Sequence, residues 1–146
     1  IILSLSDSFC VDRHRESFLD LIRNYVDIVF CNKSEILSLF RKDKLESCLK
    51  SLSSLCELAV VTLGNEGSLL IHKSETKVIK PQPTGEIIDT TGAGDLYAGG
   101  FIHGLIKNYS LKNCGELGSR CAEHIITQLG SRSNIDINEL IRANSN

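Results

Sequence analysis

Residues 88–101 read Ile-Asp-Thr-Thr-Gly-Ala-Gly-Asp-Leu-Tyr-Ala-Gly-Gly-Phe, and they hold the most chemically suggestive spacing in the chain. A β-branched run ends at Asp89, two threonines lead to Gly92 and Gly94, and Asp95 stands where an apolar-periodic helix begins. The two glycines lack a Cβ, so the backbone can approach a ligand closely and turn through positive φ. The first-turn amides of the helix that follows point outward with an effective charge of about +0.5 e. Phosphate is the usual guest of such a turn. A carboxylate beside it would repel phosphate, unless Asp95 takes a proton from a hydroxyl about to attack that phosphate. Taken alone, Gly-Ala-Gly-Asp is just as readily the start of any helix in an α/β protein, with an acid favoured at the positive end.

Two further stretches carry spacing of the same kind. Asn32-Lys33-Ser34-Glu35 follows an apolar run that ends at Cys31. An Asn and a Glu three apart at a strand-to-helix turn share one side of the first helical turn. As a bare pattern they form a capping arrangement, with Asn as cap and Glu as first-turn acid. Thr62-Leu63-Gly64-Asn65-Glu66-Gly67 reads equally as a hairpin turn or as a glycine loop along which a ligand can lie.

With all three stretches in hand, the chain resembles the ribokinase-like (PfkB) carbohydrate kinase family. That family carries Asp-x-x-Gly-Ala-Gly-Asp before a helix rich in Gly and Phe, matched here by Asp89, Gly92, Ala93, Gly94, Asp95, Gly99, Gly100 and Phe101. Its Asn-x-x-Glu and Thr-x-Gly-x-x-Gly patterns are matched by Asn32, Glu35, Thr62, Gly64 and Gly67, and the likeness runs out to Gln128–Arg132. The resemblance implies an α/β three-layer sandwich around a mainly parallel sheet. Residues 1–146 would be the C-terminal nucleotide-binding and catalytic part of such a kinase domain, with the N-terminal half and lid absent. It implies ATP-dependent phosphorylation of a hydroxyl on a small sugar or nucleoside, with a lean toward adenosine-kinase-type members.

By that resemblance Asp95 is the catalytic base, and the amides of Gly92, Ala93, Gly94 and Asp95 form the anion hole. Asn32 reaches the nucleotide phosphates, and Glu35 orders water around Mg²⁺. Thr62, Gly64 and Gly67 line the ATP site, and Ser119 lies beside the adenine. Asp89 and Thr91 flank a monovalent cation such as K⁺, completed by carbonyls near Ile125, Gln128 and Gly130, with Asn134 as a further contributor. His103, His124 and Arg120 fall to surface or packing roles. The acceptor pocket and a lid-mediated homodimer belong to the absent half, so the 146 residues alone are expected to be inactive. The competing reading is a non-catalytic module that binds nucleotide or a partner protein; an intact Asp95 argues against it, because a pure binder has no use for a base there.

The elements that must position these residues follow from periodicity. Strands are expected over 1–5, 26–31 and 58–63 and as a hairpin over 68–72 and 76–79 across Lys73-Ser74-Glu75. Asp12 is expected to cap a helix with Phe18, Leu21, Ile22 and Tyr25 as its apolar face. His14 reads as a solvated helix start. Asn32 and Ser34 are candidate caps for a short helix carrying Ile36, Leu37 and Phe40. Leu45, Cys48, Leu49 and Leu52 recur at helical spacing within 43–54, and longer helices are expected over 93–107 and 111–128, the second extending its apolar stripe to Leu129. Pro81-Gln82-Pro83 forms a short linker before a strand-like run ending at Asp89, and a last helix is expected over 136–143. Glycines inside the 93–107 helix cost about 1 kcal/mol each in propensity, which implies close packing against a neighbour. Alternating strand and helix through residue 63 argues for βαβ units and a parallel sheet, with ligands at the carboxyl ends of its strands.

Bulk properties exclude several classes. The 146 residues are 42% hydrophobic and 23% charged with net charge −2, which gives no reason to invoke nucleic acid or an anionic membrane. No apolar run approaches the roughly 20 residues of a membrane-spanning helix. Six scattered cysteines without Cys-x-x-Cys spacing read as small buried hydrophobes of a reducing cytoplasm. The chain has no methionine and opens inside a strand-like run, so an N-terminal part is expected to be missing.

Overall fold

The structure, a computed structural model, describes residues 1–73, 75–81 and 85–132. The chain divides into two compact units, Ile1–Val78 and Ile79–Asn146. The first contains β1 (Ile2–Ser4), α1 (Ser8–Arg13), α2 (Arg15–Asn24), β2 (Ile28–Asn32), α3 (Lys33–Phe40) and α4 (Leu45–Leu52). It continues with β3 (Leu58–Thr62), a single 3₁₀ turn at Gly64–Glu66, β4 (Ser68–His72) and β5 (Glu75–Ile79), whose last residue opens the second unit. The second contains α5 (Ala93–Ile106) and α6 (Leu111–Ile126).

The five strands lie in sequence order in one mixed sheet. β1, β2 and β3 are parallel, as the strand–helix alternation requires, because only a helical crossover is long enough to bring the next strand round in the same direction. β4 runs antiparallel to β3, so the short turn at Leu63–Gly67 suffices to connect them. Asn32 pairs with Thr62, and Thr62 with Ser68, so the last residues of β2 and β3 stand in one row with the first residue of β4. Four of the five residues of β3 are buried, the pattern of a central parallel strand covered on both faces. On one face Val29, Cys31, Ala59, Val61 and Ile71 pack with Val11, Ile22, Ile36, Leu39 and Leu52 of the helices. Each such side chain contributes about 1.5–3 kcal/mol by leaving water.

The expected helix capped by Asp12 is displaced. Asp7 is the cap, its carboxylate accepting from the amides of Phe9 and Cys10 at 2.8 Å, and Asp12 lies inside α1. The chain then bends at His14, which is exposed and begins α2. Because of that bend the buried stripe of α2 runs through Leu19 and Ile22, while Leu21 and Tyr25 are exposed. The expected strand running into Asp89 is also absent. Among the described residues no strand pairs with it, and the amides of Ile88 and Asp89 both donate to the Ile126 carbonyl at the end of α6. α6 itself stops at Ile126; Gly130 takes φ +85° and turns the chain away, leaving Leu129 exposed. The expected helix over 136–143 and the linker residues Gln82 and Pro83 lie outside the described residues.

Three glycines of the second unit, Gly100, Gly104 and Gly118, are explained by contact. A Cβ on Gly118 would stand 2.7 Å from the Tyr97 carbonyl oxygen, and one on Gly100 would stand 2.7 Å from Cys121 Sγ and 3.0 Å from the Leu117 carbonyl. One on Gly104 would meet Cys114 Sγ at 3.0 Å. α5 and α6 therefore approach backbone to backbone along this seam. Gly99, on the exposed side of α5, has nothing within 4 Å of its Cβ position. Gly118→Ala should lower the unfolding free energy by about 1–3 kcal/mol through overpacking, whereas Gly99→Ala should raise it by up to about 1 kcal/mol through helix propensity. Urea denaturation of the two variants measures both, and equal behaviour would mean that the seam is not closely packed.

Candidate active site

The rim at the carboxyl ends of β2 and β3 gathers the residues of two motifs. Asn32 ends β2 and caps α3, its side-chain oxygen accepting from the Glu35 amide at 2.9 Å and from the Ser34 hydroxyl at 2.7 Å. Glu35 answers with both carboxylate oxygens. One accepts from the Asn32 backbone amide at 2.9 Å and the other from the Asn32 side-chain amide at 2.6 Å. This is a complete capping box, so Asn32, not Ser34, is the cap. Glu35 is 5% exposed, and that burial pushes its carboxyl above the usual range, with the negative charge of Asp7 adding to the effect and the Asn32 amide opposing it. Across the register step stands Thr62, followed by the 3₁₀ turn in which Gly64 and Gly67 take φ +61° and +90°. Lys33, the first residue of α3, reaches the Glu66 carboxylate in that turn at 4.0 Å, joining the two loops.

The third motif belongs to the second unit and is held by Asp89. One carboxylate oxygen accepts from the Thr91 hydroxyl at 2.6 Å and the Thr91 amide at 2.9 Å, and the other accepts from the Gly130 amide at 3.0 Å. These bonds, the hydroxyl first, hold the carboxyl of Asp89 below its ordinary range. Gly92 then caps α5 at φ +80°, with Ser131 so close that a Cβ on Gly92 would lie 2.7 Å from Ser131 Cβ. Gly92 brings no side chain, so among the described residues no side chain caps the first turn formed by Ala93, Gly94 and Asp95. Gly94 and Asp95 are exposed at that turn. An uncapped helix start beside an exposed carboxylate can hold an anion and accept a proton next to it.

The remaining candidates are placed as follows. Ser119 is 7% exposed on α6 and its hydroxyl donates to Glu123 at 3.0 Å. His124 is half-buried, and its Nε2 has no hydrogen-bond partner among the described residues. Gln128 Nε2 donates to the Arg132 carbonyl at 2.6 Å, and Asn134 lies outside the described residues. All six cysteines are free thiols. Burial raises the thiols of Cys31, Cys48, Cys56, Cys114 and Cys121, with Cys56 pushed up to about 11, so they behave as core hydrophobes and not as nucleophiles. Among the described residues no three His, Cys, Asp or Glu side chains cluster as a metal site, and no helix is long and apolar enough to cross a membrane. The resemblance placed Gly130 beside Asp89 and Thr91 through its carbonyl, but sequence reasoning missed the bond from its amide to Asp89, the Ser131 contact on Gly92, the Lys33–Glu66 pair and the field of Asp7 at Glu35. Only the acid–base pairing of Lys33 with Glu66 left a trace in the sequence, as opposite charges in two adjacent loops.

Comparison with known proteins bears on the fold and the family. The pfkB family carbohydrate kinase pattern matches residues 2–138. The chain superimposes with TM-score 0.95 on two crystal structures, a probable sugar kinase protein from Rhizobium etli CFN 42 and an adenosine kinase from Sinorhizobium meliloti. It is 41% and 40% identical to them, with 97% of this chain covered in each case and 43% and 44% of theirs. An ATP-dependent 6-phosphofructokinase of Thermoanaerobacterium thermosaccharolyticum is 36% identical over 118 residues, 80% of this chain and 36% of the relative. The fold is that of the ribokinase-like kinases, and the chain belongs to the pfkB family of carbohydrate kinases. It spans less than half the length of each of these relatives.

The two displaced carboxyls have opposite pH signatures. Glu35 titrates higher in the folded chain than in the unfolded one. The stability it contributes is therefore full below about pH 4.3 and is lost as pH rises through its folded value. Glu35→Gln should shift stability by a constant offset, because its single acceptor oxygen cannot serve both the Asn32 backbone amide and Asn32 Nδ2, and should abolish that slope. Urea denaturation at pH 4 to 7, read as the difference between the two proteins, shows whether the slope is there. Asp89 titrates lower when folded, so its contribution is present above the ordinary carboxylate range and lost as pH falls through the folded value. Thr91→Val removes the largest cause and should move the Asp89 titration upward, as followed by carboxyl ¹³C chemical shifts; an unmoved titration would mean that the hydroxyl does not hold it.

Proposed function

We propose that the chain provides the nucleotide side and the base of a kinase that transfers the γ-phosphoryl group of ATP to a hydroxyl of a small sugar or nucleoside. The observation that carries this reading is the start of α5, where an uncapped turn and an exposed Asp95 adjoin. In this reading Asp95 accepts the proton of the acceptor hydroxyl as its oxygen bonds to the γ-phosphorus and the bond to the β-phosphate oxygen breaks, releasing ADP. The amides of Gly92, Ala93, Gly94 and Asp95 meet the charge that develops on the transferred group. Phosphoryl transfer asks for little beyond such positioning and electrostatics.

Asn32, Thr62, Gly64 and Gly67 would take the nucleotide along the rim of β2 and β3, and Ser119 would lie beside its base. Bound Mg²⁺ would neutralise phosphate charge. Mg²⁺ is commonly held by few carboxylates together with substrate phosphates and water. Glu35, with both oxygens already engaged by Asn32, suits a contact through water better than direct ligation. Asp89 and Thr91 would serve K⁺; the Thr91 hydroxyl donates to Asp89 and keeps its own lone pairs for a cation. The acceptor is left between sugar and nucleoside by relatives of both kinds at nearly equal identity. In this reading its contacts fall in the part of those relatives that this chain does not span, and the 146 residues alone would be inactive. The free thiols support a reducing, cytoplasmic setting.

The test uses the full-length gene product. Asp95→Asn should lower kcat on the best of adenosine, ribose and fructose by at least about 10²-fold, the usual worth of a general base. MgATP affinity by calorimetry should change far less. Near wild-type turnover would overturn the assignment, and a wild-type protein that binds MgATP but phosphorylates none of a broad panel would favour a nucleotide-binding module instead.

A further inference from the structure

Lys33 and Glu66 form a contact that the three motifs do not account for. Lys33 directly follows Asn32 at the carboxyl end of β2, and Glu66 closes the 3₁₀ turn that follows Thr62 at the end of β3. Since Asn32 and Thr62 are register partners on adjacent parallel strands, the two loops leave the sheet side by side. Lys33 Nζ and Glu66 Oε1 approach to 4.0 Å across them, with the side chains 53% and 66% exposed. A pair so open to water contributes little to stability, so little is lost when it separates. A polyphosphate offers the ammonium several negative oxygens in place of one carboxylate, and charge-assisted bonds to phosphate are the stronger kind. Glu66, in turn, is a like charge to any phosphate that lies along this rim, and it stands between Gly64 and Gly67, both at positive φ.

We propose that Lys33 is a phosphate-binding side chain for the nucleotide donor, parked on Glu66 when the site is empty and exchanged onto the polyphosphate when it is filled. Glu66 is then the competitor that weakens phosphate binding and disfavours ligands with too few charges to displace it. The proposal rests on the reading of this rim as the nucleotide site. It adds to the Asn32 and Thr62 contacts a lysine that neither motif specifies.

The experiment titrates the full-length gene product with inorganic tripolyphosphate and with MgATP by calorimetry, and follows KM and kcat alongside. Lys33→Ala should weaken tripolyphosphate about five- to tenfold, one charge-assisted contact's worth, and raise the KM for MgATP by a similar factor while moving kcat much less. Lys33→Arg should restore most of the loss, and Glu66→Gln should tighten tripolyphosphate by about two- to fivefold by removing the competitor. Both side chains are exposed, so thermal unfolding should be unchanged and separates these effects from misfolding. If the parent protein binds MgATP and both Lys33→Ala and Glu66→Gln leave the tripolyphosphate constant unmoved, the proposal is wrong and the nucleotide reading stands. If the parent binds neither ligand, the nucleotide reading itself fails.

Discussion

Three donors converge on the carboxylate of Asp89, two from Thr91 and one from Gly130, and the geometry of the second unit's candidate site follows from that convergence. By gripping Gly130, Asp89 brings the segment after α6 against the turn before α5, and Ser131 comes to rest where a Cβ on residue 92 would lie. Only glycine fits there, and its φ of +80° is a conformation that side chains resist. Because the capping position is glycine, no cap fills the first turn of α5. The Ala93 amide turns back onto the Thr90 carbonyl, and the lack of a side-chain cap at Gly94 and Asp95 is thus a consequence of a carboxylate three residues before the capping glycine. A carboxylate that accepts several hydrogen bonds stays ionised, so the clamp holds across the neutral range.

The first unit shows how a structural role and a functional one can occupy the same atoms. Asn32 and Glu35 close a reciprocal capping box, which fixes where β2 ends and α3 begins. The same bonds hold the Asn32 side chain at the strand end, in register with Thr62. Capping is therefore no argument against a role in ligand binding; it is the means by which two side chains would be held still on a rim. The cost is a carboxylate half-starved of water, raised by its burial and by the nearby charge of Asp7.

Close helix contact imposes a similar exchange. Gly100, Gly104 and Gly118 sacrifice helix propensity so that α5 and α6 can meet backbone to backbone. Such a seam fixes the direction of α5, and with it the direction in which the first-turn amides point. Gly99 takes no part in the seam, and its place in the signature has no packing reason in the described structure.

Much of this was legible from the residues alone wherever the cause was local. Helical spacing at Leu45, Cys48, Leu49 and Leu52 foretold α4, and the Asn32–Glu35 interval foretold the capping box, because both depend on neighbours within one or two turns. The β-branched runs foretold β2 and β3, since a buried parallel strand must be apolar throughout. The misplaced cap at Asp12 shows the limit even of local reasoning: Asp7 and Asp12 are equally good caps by type, and which one acts depends on where β1 releases the chain. The strand expected at Asp89 failed for a kindred reason, since an extended run becomes a strand only where another strand offers it a ladder. What the sequence by itself determined was the set of reactive groups and the short-range turns that carry them. The tertiary structure alone decided that the amide of Gly130, 41 residues from Asp89, would donate to its carboxylate, and that Lys33 would meet Glu66 across two strand ends. Those contacts depend on register and helix packing, and neither leaves a periodic signal in the chain.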